Sequence, residues 1–352
     1  MTVAMKTIRI ANRVVGENQP TFIIAEAGVN HNGQLKLAKK LVGAAIHAGA
    51  DAVKFQTFKA EEVVTKKAEI ADYAKTNIGK NIKQLHMIKK MELTYEDFRV
   101  LKKYCDTKGI IFLSTPHSFD AINFLKELVP AYKFGSGDLT NTPALRHAAK
   151  KGKPMILGTG MATLQEVKHA VNVIKSENNT QIILLHCTTN YPCPLEEVNL
   201  RSMLTMKKEL KCLVGYSDHT LGILVPAMAV TLGATVIEKH FTLDKKLPGP
   251  DHKASLEPDE FKHMVIEIRN AEQTLGSFIK KPTASERIIM KLVRKSIVAN
   301  QDIKKGTVIK KHMLTIKRPG TGLNPEKLHT IIGKKAKQSI EKDEIIQIHM
   351  VE

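Results

Sequence analysis

Two histidines each close a short apolar run, and this pairing is the feature of the sequence most suited to chemistry. His219 ends the run in "CLVGYSDHT", and His240 ends the next run, in "TVIEKHF". Neutral imidazole is the commonest metal ligand among side chains, and two imidazoles with water could hold a divalent Lewis acid such as Mn2+. Hydrogen-bonded histidines without a metal would give the same pattern. With neither an HExxH motif nor a thiolate cluster present, a structural zinc site is disfavoured.

Two lysines occupy comparable places in earlier apolar runs. Lys54 lies in "AVKFQTF" and Lys133 in "AYKFGSGD". An ammonium group there can neutralise a phosphate or carboxylate, or form a Schiff base with a carbonyl. The glycines of "GSGD" and "GTG" would let the backbone approach an anion, although tight turns explain them equally well and neither run is a Walker or Rossmann fingerprint. We expect a phosphorylated or carboxylated small molecule as substrate.

Regularly spaced elements must position these residues. Amphipathic segments such as "GQLKLAKKLVGAAIHAGA", and the capping box "TLQE", alternate with short runs rich in β-branched residues. There are eight such runs: "TFIIAEAG", "AVKFQTF", "IIFLSTP", "AYKFGSGD", "PMILGTG", "IILLHCT", "CLVGYSD" and "TVIEKHF". Apolar strands alternating with helices predict a parallel sheet covered on its faces. Eight units in about 250 residues predict an α/β fold, a (β/α)8 TIM barrel, rather than a doubly wound open sheet.

The carboxyl ends of these strands carry an unusual number of polar groups. They include Glu26, Lys54, Gln56, Ser114, Thr115, Lys133, Ser136, Asp138, Thr159, His186, Asp218, His219, Glu238, Lys239 and His240. Catalysis in such barrels takes place at this end, and side-chain alternation lets only part of each group face inward. Because unpaired buried charge opposes folding, we interpret the cluster as a functional mouth rather than a solvated rim. Asp251 in "PGPDH" follows the last strand and could orient a ligand or a substrate hydroxyl.

Composition excludes several classes of protein. The 352 residues are 43% hydrophobic and 25% charged, as in ordinary globular proteins. The net charge of +19 is spread over scattered lysines without tryptophan or a nucleic-acid motif, so we expect no nucleic-acid partner. A positive field would steer an anionic substrate, and a lysine-rich proteome would give the same excess.

The cysteines and the apolar segments bear on location. Four cysteines without CxxC spacing are typical of a reducing compartment, and the first twenty residues contain no long apolar core. The uncharged segment 221–237 is short for a membrane span and is interrupted by Gly222, Pro226 and Gly233. A buried helix leading into a buried strand explains it better. We therefore expect a cytoplasmic protein that does not bind a membrane.

A second, smaller domain follows the barrel. We assign residues 1–280 to the barrel, 281–292 to a linker, and 293–352 to a compact, mostly β segment with the runs "SIVA", "TVIK", "LTIKR" and "IIQIHM". About sixty residues bury a marginal core, so docking on something larger is expected. Composition alone allows an interaction module or a lid.

The motifs together resemble the sialic acid synthase family. They are "IAEAGVNHNG", "AVKFQTF", "STP", "KFGSGD", "GTGM", "HCTTNYPCP", "GYSDHT", "EKHFTLDKKLPGPDHKASLEP" and "KRPGTG", in family order over nearly the whole chain. The resemblance implies condensation of phosphoenolpyruvate with an N-acetylmannosamine-type sugar, giving a nine-carbon nonulosonic acid and phosphate, with Mn2+ or Mg2+. It also implies a homodimer in which each C-terminal antifreeze-like (SAF) domain caps the partner's barrel.

The resemblance assigns a role to each matching residue. It makes His219 and His240 the metal ligands. Phosphoenolpyruvate would be held by the following residues: Lys54, Lys133, Ser136 and Thr115, with Gln56 nearby. The acceptor sugar would meet the following residues: Glu26, Asp251, Tyr191 and, at its N-acyl group, Arg318. Glu26 or Asp138 would accept a proton from the water that adds at C2.

The sequence departs from the family pattern at the acceptor end. Asp138 stands where many relatives have glutamate, Gly158 where some have serine, and Thr189 where some have asparagine. Two acceptors stay open: N-acetylmannosamine, giving N-acetylneuraminate, and a 2,4-diacetamido-2,4,6-trideoxy-mannose, giving a legionaminic acid. A Schiff-base aldolase using Lys133 or Lys239, and a binding protein without catalysis, are the other readings.

Overall fold

A computed structural model describes residues 6–69 and 83–352. The chain divides into two compact units, the first ending at Gly276 and the second spanning Ser277–Glu352. Among the described residues, no helix is both long and apolar enough to cross a membrane.

An antiparallel hairpin begins the first unit. Its strands are β1 (Thr7–Ile10) and β2 (Arg13–Gly16). Its buried residues Ile8, Ile10 and Val15 pack with Phe22 and other residues near the amino ends of the barrel strands. The hairpin therefore covers the end of the barrel opposite the strand tips that carry the predicted site.

Eight parallel strands form the barrel. They are β3 (Phe22–Gly28), β4 (Ala52–Thr57), β5 (Ile111–Pro116), β6 (Tyr132–Phe134), β7 (Met155–Gly158), β8 (Ile182–His186), β9 (Leu213–Asp218) and β10 (Val236–His240). Hydrogen-bonded neighbours follow the order β5-β4-β3-β10-β9-β8-β7-β6, and β5 packs beside β6 to complete the ring. All eight strands fall on the predicted apolar runs, which confirms the (β/α)8 architecture.

Helices surround these strands. Their bounds are α1 (Leu35–His47), α2 (Ala60–Val63), α3 (Gln84–Lys89), α4 (Tyr95–Lys108), α5 (Phe119–Leu125), α6 (Thr142–Ala149), α7 (Leu164–Lys175), α8 (Arg201–Leu210), α9 (Leu224–Thr231) and α10 (Pro258–Leu275). The predicted capping box forms at the start of α7, where Thr163 and Glu166 each accept the other's backbone N–H. The uncharged segment is α9 leading into β10, as predicted.

The second unit contains α11 (Ala284–Val293), the antiparallel strands β11 (Ser296–Ala299) and β12 (Leu314–Lys317), and the short helix α12 (Leu328–Ile331). Ile297, Ile309 and Ile346 are among its fully buried core residues. The runs "TVIK" and "IIQIHM" form isolated bridges instead of strands, through Val308 and Ile345. A single paired position in each run is too little for a ladder.

Candidate active site

Four charged side chains of alternating sign meet at the carboxyl end of the barrel. Lys133 Nζ lies 3.3 Å from Glu238 Oε1, and Lys54 Nζ lies 3.7 Å from Glu238 Oε2. The same Lys54 ammonium lies 2.8 Å from Glu26 Oε2. All four side chains are buried. We call Glu26, Lys54, Lys133 and Glu238 the charge cluster.

Strand parity explains how this cluster forms beside the histidines. Glu238 and His240 are two residues apart on β10, so their side chains share one face of the strand. Ser217 and His219 have the same spacing at the end of β9, and Ser217 Oγ donates to Glu238 Oε1 at 3.1 Å. Glu238 lies at a strand tip in the sequence and is a site residue that its residue type alone does not reveal. Its spacing from His240 was the signal that it faces the mouth.

The two histidines are brought together as predicted. Their ring centroids are 5.7 Å apart. His219 Nδ1 lies 2.6 Å from the Thr188 carbonyl, which can only accept, so Nδ1 carries the proton and Nε2 has a free lone pair. His240 Nδ1 is buried without a hydrogen-bond partner among the described residues, and Asp251 Oδ2 lies 4.0 Å from it.

These groups fit a divalent cation in an open site. Burial lowers the pKa of both imidazoles, and that of His240 is lowered further by His219, so both rings are neutral and could serve as ligands. No group of three or more histidine, cysteine or carboxylate side chains with metal-binding geometry occurs within residues 6–69 and 83–352. Two imidazoles would therefore leave several positions for water and substrate oxygens, as catalytic metal sites require.

Burial and neighbouring charge together set the protonation of the cluster. Burial raises the pKa of Glu26, and Lys54 only partly opposes it. Burial lowers the pKa of Lys133, against the effect of Glu238. Although burial disfavours charge on Glu238, Lys133 and Lys54 hold its pKa at about 2. Burial likewise lowers the pKa of Lys54, but Glu238 and Glu26 outweigh it and raise the value.

Ser136, Gly160 and Cys187 form a small hydrogen-bonded group at the ends of β6, β7 and β8, which we call the polar recess. The backbone N–H of Gly160 donates to Ser136 Oγ at 3.0 Å and to Cys187 Sγ at 3.2 Å, and Ser136 Oγ lies 3.1 Å from that sulfur. A Cβ at Gly160 would lie 2.2 Å from Thr189 Oγ1 and 2.9 Å from Ser136 Oγ. A larger residue at this position would therefore force the Thr189 and Ser136 side chains to move. Cys187 is a second residue that the sequence analysis did not assign to the site.

Three of the remaining predicted residues contact the charge cluster or the histidines, and the structure gives two others different surroundings. Gln56 donates to Glu26 at 3.1 Å, Thr115 accepts from Lys54 at 3.0 Å, and the Tyr191 ring lies 4.1 Å from that of His219. Asp138 lies in the turn after β6, where its carboxylate is 3.5 Å from Nδ1 of the partly exposed His117. Arg318 is exposed and belongs to the second unit.

The outward face of β10 carries Lys239. Its ammonium is 2.5 Å from Asp218 Oδ2, and both side chains are fully buried. Lys239 therefore lies on the opposite face of β10 from the charge cluster. This placement disfavours Lys239 as a Schiff-base lysine, which must reach a substrate carbonyl.

The fold and the site define the class of protein: a (β/α)8 barrel with charged and imidazole side chains at its mouth, followed by a small C-terminal domain. Comparison with known proteins identifies the family. The chain belongs to the NeuB family, whose sequence model matches residues 41–280. Residues 294–352 match the model of the SAF domain. It is 49% identical to the N,N'-diacetyllegionaminic acid synthase of Legionella pneumophila over 92% of this chain and 93% of that relative. The synthase of the same name from Campylobacter jejuni is 47% identical over 93% of this chain and 99% of the relative.

The fold has a solved counterpart. The crystal structure of N-acetylneuraminic acid (sialic acid) synthetase from Leptospira borgpetersenii, in complex with citrate, superposes with a TM-score of 0.72. The two proteins are 36% identical, and the match covers 81% of this chain and 96% of that one. The resemblance noted in the sequence is therefore confirmed at the level of the family.

Proposed function

We propose that this protein is a metal-dependent nonulosonic acid synthase that condenses phosphoenolpyruvate with an N-acylated amino sugar and releases phosphate. The observation that carries the proposal is the charge cluster beside the paired imidazoles of His219 and His240. Membership of the NeuB family supports the same reaction class. A bound Mn2+ or Mg2+ would supply Lewis acidity toward the aldehyde oxygen of the open-chain sugar.

The chain's own residues bind and orient phosphoenolpyruvate. Lys54 and Lys133 supply positive charge for its phosphate and carboxylate. Thr115 supplies a hydroxyl beside Lys54, and Ser136 supplies another from the polar recess, where the Gly160 N–H holds its Oγ in place. Held in this way, C3 of phosphoenolpyruvate attacks the aldehyde carbon of the acceptor.

Proton transfer is assigned to Glu26. Water adds at C2 after the carbon–carbon bond forms, and one of its protons ends on the former aldehyde oxygen. The bond from C2 to the phosphate ester oxygen then breaks, and phosphate leaves with the proton of the new C2 hydroxyl, so that C2 becomes a ketone. Glu26 takes the proton of that water, because its carboxylate lies within the cluster and its raised pKa makes it a stronger base than an ordinary glutamate. Asp138, paired with His117, is the second candidate.

For the acceptor, we propose the 2,4-diacetamido-2,4,6-trideoxy-mannose type, which gives a legionaminic acid. The sequence alone leaves N-acetylmannosamine and this sugar open, and two relatives near half identity are N,N'-diacetyllegionaminic acid synthases. N-acetylmannosamine stays the second candidate because of the similarity to the sialic acid synthetase. Asp251, Tyr191 and, from the C-terminal domain of a partner subunit in a homodimer, Arg318 would contact the acceptor.

The deciding experiment is an assay of phosphate release from phosphoenolpyruvate with each sugar in turn. The proposal predicts release that requires a divalent cation and is faster with the diacetamido sugar. Borohydride with substrate tests the aldolase alternative, for which the lowered pKa of Lys133 is the favouring observation. Trapping of Lys133 in the presence of chelator would establish the aldolase. If no amino sugar led to phosphate release, the protein would be a binding protein without catalysis.

A further inference from the structure

A buried ion pair lies directly behind the two histidines. Lys239 and Asp218 are register partners on β10 and β9, and each immediately precedes one of the histidines in the chain. Their side chains are fully buried, at 0% exposure, on the outward faces of the strands. They cannot reach a ligand in the mouth, so contact with substrate does not explain them.

The hydrogen bonds of this pair hold the backbone on both sides of His219. Lys239 Nζ donates at 2.5 Å to Asp218 Oδ2 and at 2.5 Å to the Thr220 carbonyl. Asp218 in turn accepts from the backbone N–H of Thr220 at 3.0 Å and from its hydroxyl at 3.2 Å. One ammonium group therefore fixes the residues before and after His219, while its own backbone is bonded to His240.

Stability is a poor explanation for such a pair. Removing two charges from water opposes folding, and apolar residues of similar volume often replace a buried ion pair without loss of stability. A buried pair is better suited to specifying one arrangement among several. Here the arrangement it specifies is the register of β9 and β10 and the turn from 218 to 220, which together set the separation of the two imidazoles.

We propose that Lys239 and Asp218 are positioning residues that set the geometry of the His219 and His240 cation site. The inference rests on the proposed metal dependence. Partners that hydrogen-bond directly to metal ligands typically contribute about 10- to 100-fold to metal affinity, and this pair, which holds the backbone that carries the ligands, is expected to act at the lower end of that range. The pair should therefore matter more for cation binding than for folding.

The test compares Mn2+ affinity with stability in the full-length protein. The variants are Lys239→Met, Asp218→Asn and the double variant, which removes both charges at nearly constant volume. Arg13→Met is the matched control, because it breaks a 2.8 Å ion pair with Asp51 outside the site. The Kd for Mn2+ is measured by electron paramagnetic resonance of free Mn2+, and Tm is measured without metal by calorimetry.

We expect the double variant to have a Tm close to that of the wild type and above both single variants, with a Kd for Mn2+ weakened about tenfold or more. Arg13→Met should lower Tm and leave that Kd unchanged. A double variant that binds Mn2+ as tightly as the wild type overturns the inference. If it fails to fold, the single variant Asp218→Asn takes its place, because it removes one charge of the pair at constant volume, and an unchanged Kd in that variant has the same meaning. Failure of the wild type to bind Mn2+ would instead overturn the proposed function.

Discussion

The carboxylate of Glu238 lies 3.3 Å from the ammonium of Lys133, although β10 and β6 stand on opposite sides of the eight-stranded ring. The two side chains meet across the barrel, and Lys54 approaches the same carboxylate at 3.7 Å. Each ammonium group therefore has a carboxylate partner before substrate binds. An anionic substrate has to share these ammonium groups with Glu238, so Glu238 reduces the net positive charge that they present to the substrate.

The first prediction concerns pH. Glu26 must be ionised, so kcat/KM falls as the pH drops through its raised pKa; Lys133 must be protonated, so kcat/KM falls as the pH rises through its lowered pKa. The Glu238 carboxylate raises the pKa of both groups, against the burial that dominates for Lys133. Glu238→Gln should therefore move both limbs of the kcat/KM profile to lower pH.

The matched control is Glu272→Gln, which removes a carboxylate that accepts from the Thr21 N–H, just before β3 begins. Its profile should coincide with that of the wild type. Limbs that stay in place in Glu238→Gln, or move in opposite directions, would show that Glu238 does not set these two pKa values.

The second prediction concerns the polar recess. Gly160→Ala places a Cβ 2.2 Å from Thr189 Oγ1 and 2.9 Å from Ser136 Oγ, so the recess must open. We expect the KM for phosphoenolpyruvate to rise about tenfold or more, with the KM for the sugar much less affected. Gly43→Ala, in α1, is the control, because a Cβ there meets nothing within 4 Å and the residue lies outside the site. Equal effects of the two alanine substitutions on the KM for phosphoenolpyruvate would show that the recess does not take part in binding it.

The third prediction separates the two candidate bases. Glu26→Gln should lower kcat about 100-fold or more, because the amide cannot accept the proton of water. Asp138→Asn should lower kcat far less, since Asp138 pairs with His117 rather than with the charge cluster. Steady-state kinetics at saturating metal measures both. The reverse order of effects would assign the base to Asp138.

The fourth prediction concerns the C-terminal domain. Arg318→Ala should raise the acceptor KM about tenfold and that for phosphoenolpyruvate far less, because the proposed contact is to the N-acyl group alone. The control is Lys317→Ala, at the residue that precedes Arg318 in the chain. It breaks an exposed ion pair with Asp343 and should leave both KM values unchanged. Equal effects of Arg318→Ala on the two substrates would contradict the assignment.

The barrel could be predicted from the sequence because each strand is a continuous apolar run that ends in polar residues. The hairpin of β1 and β2 could not, because strands of four residues give only a brief alternation, seen at Ile8 and Ile10. In the second unit, runs of the same type formed strands in two places and isolated bridges in two others. Pairing there depends on tertiary contacts that local composition does not contain.

The site shows the same limit at the level of single residues. Residue type and position at a strand end suffice to predict four of the site residues: His219, His240, Lys54 and Lys133. Residue type alone does not separate Glu238 from Lys239, because both are charged and adjacent in the chain. Only the inward direction of His240 decides that Glu238 joins the mouth and Lys239 lies behind it. Contact across the ring, from β10 to β6, is likewise a property of the closed barrel.

The central claim is that His219 and His240 hold one divalent cation. Its most direct test is Mn2+ titration of the wild type, His219→Ala and His240→Ala, with free Mn2+ measured by electron paramagnetic resonance and His186→Ala as control. We predict one tight site per chain in the wild type and in His186→Ala, and loss of that site in each of the other two variants. Mn2+ binding by His219→Ala or His240→Ala with wild-type affinity would contradict the account.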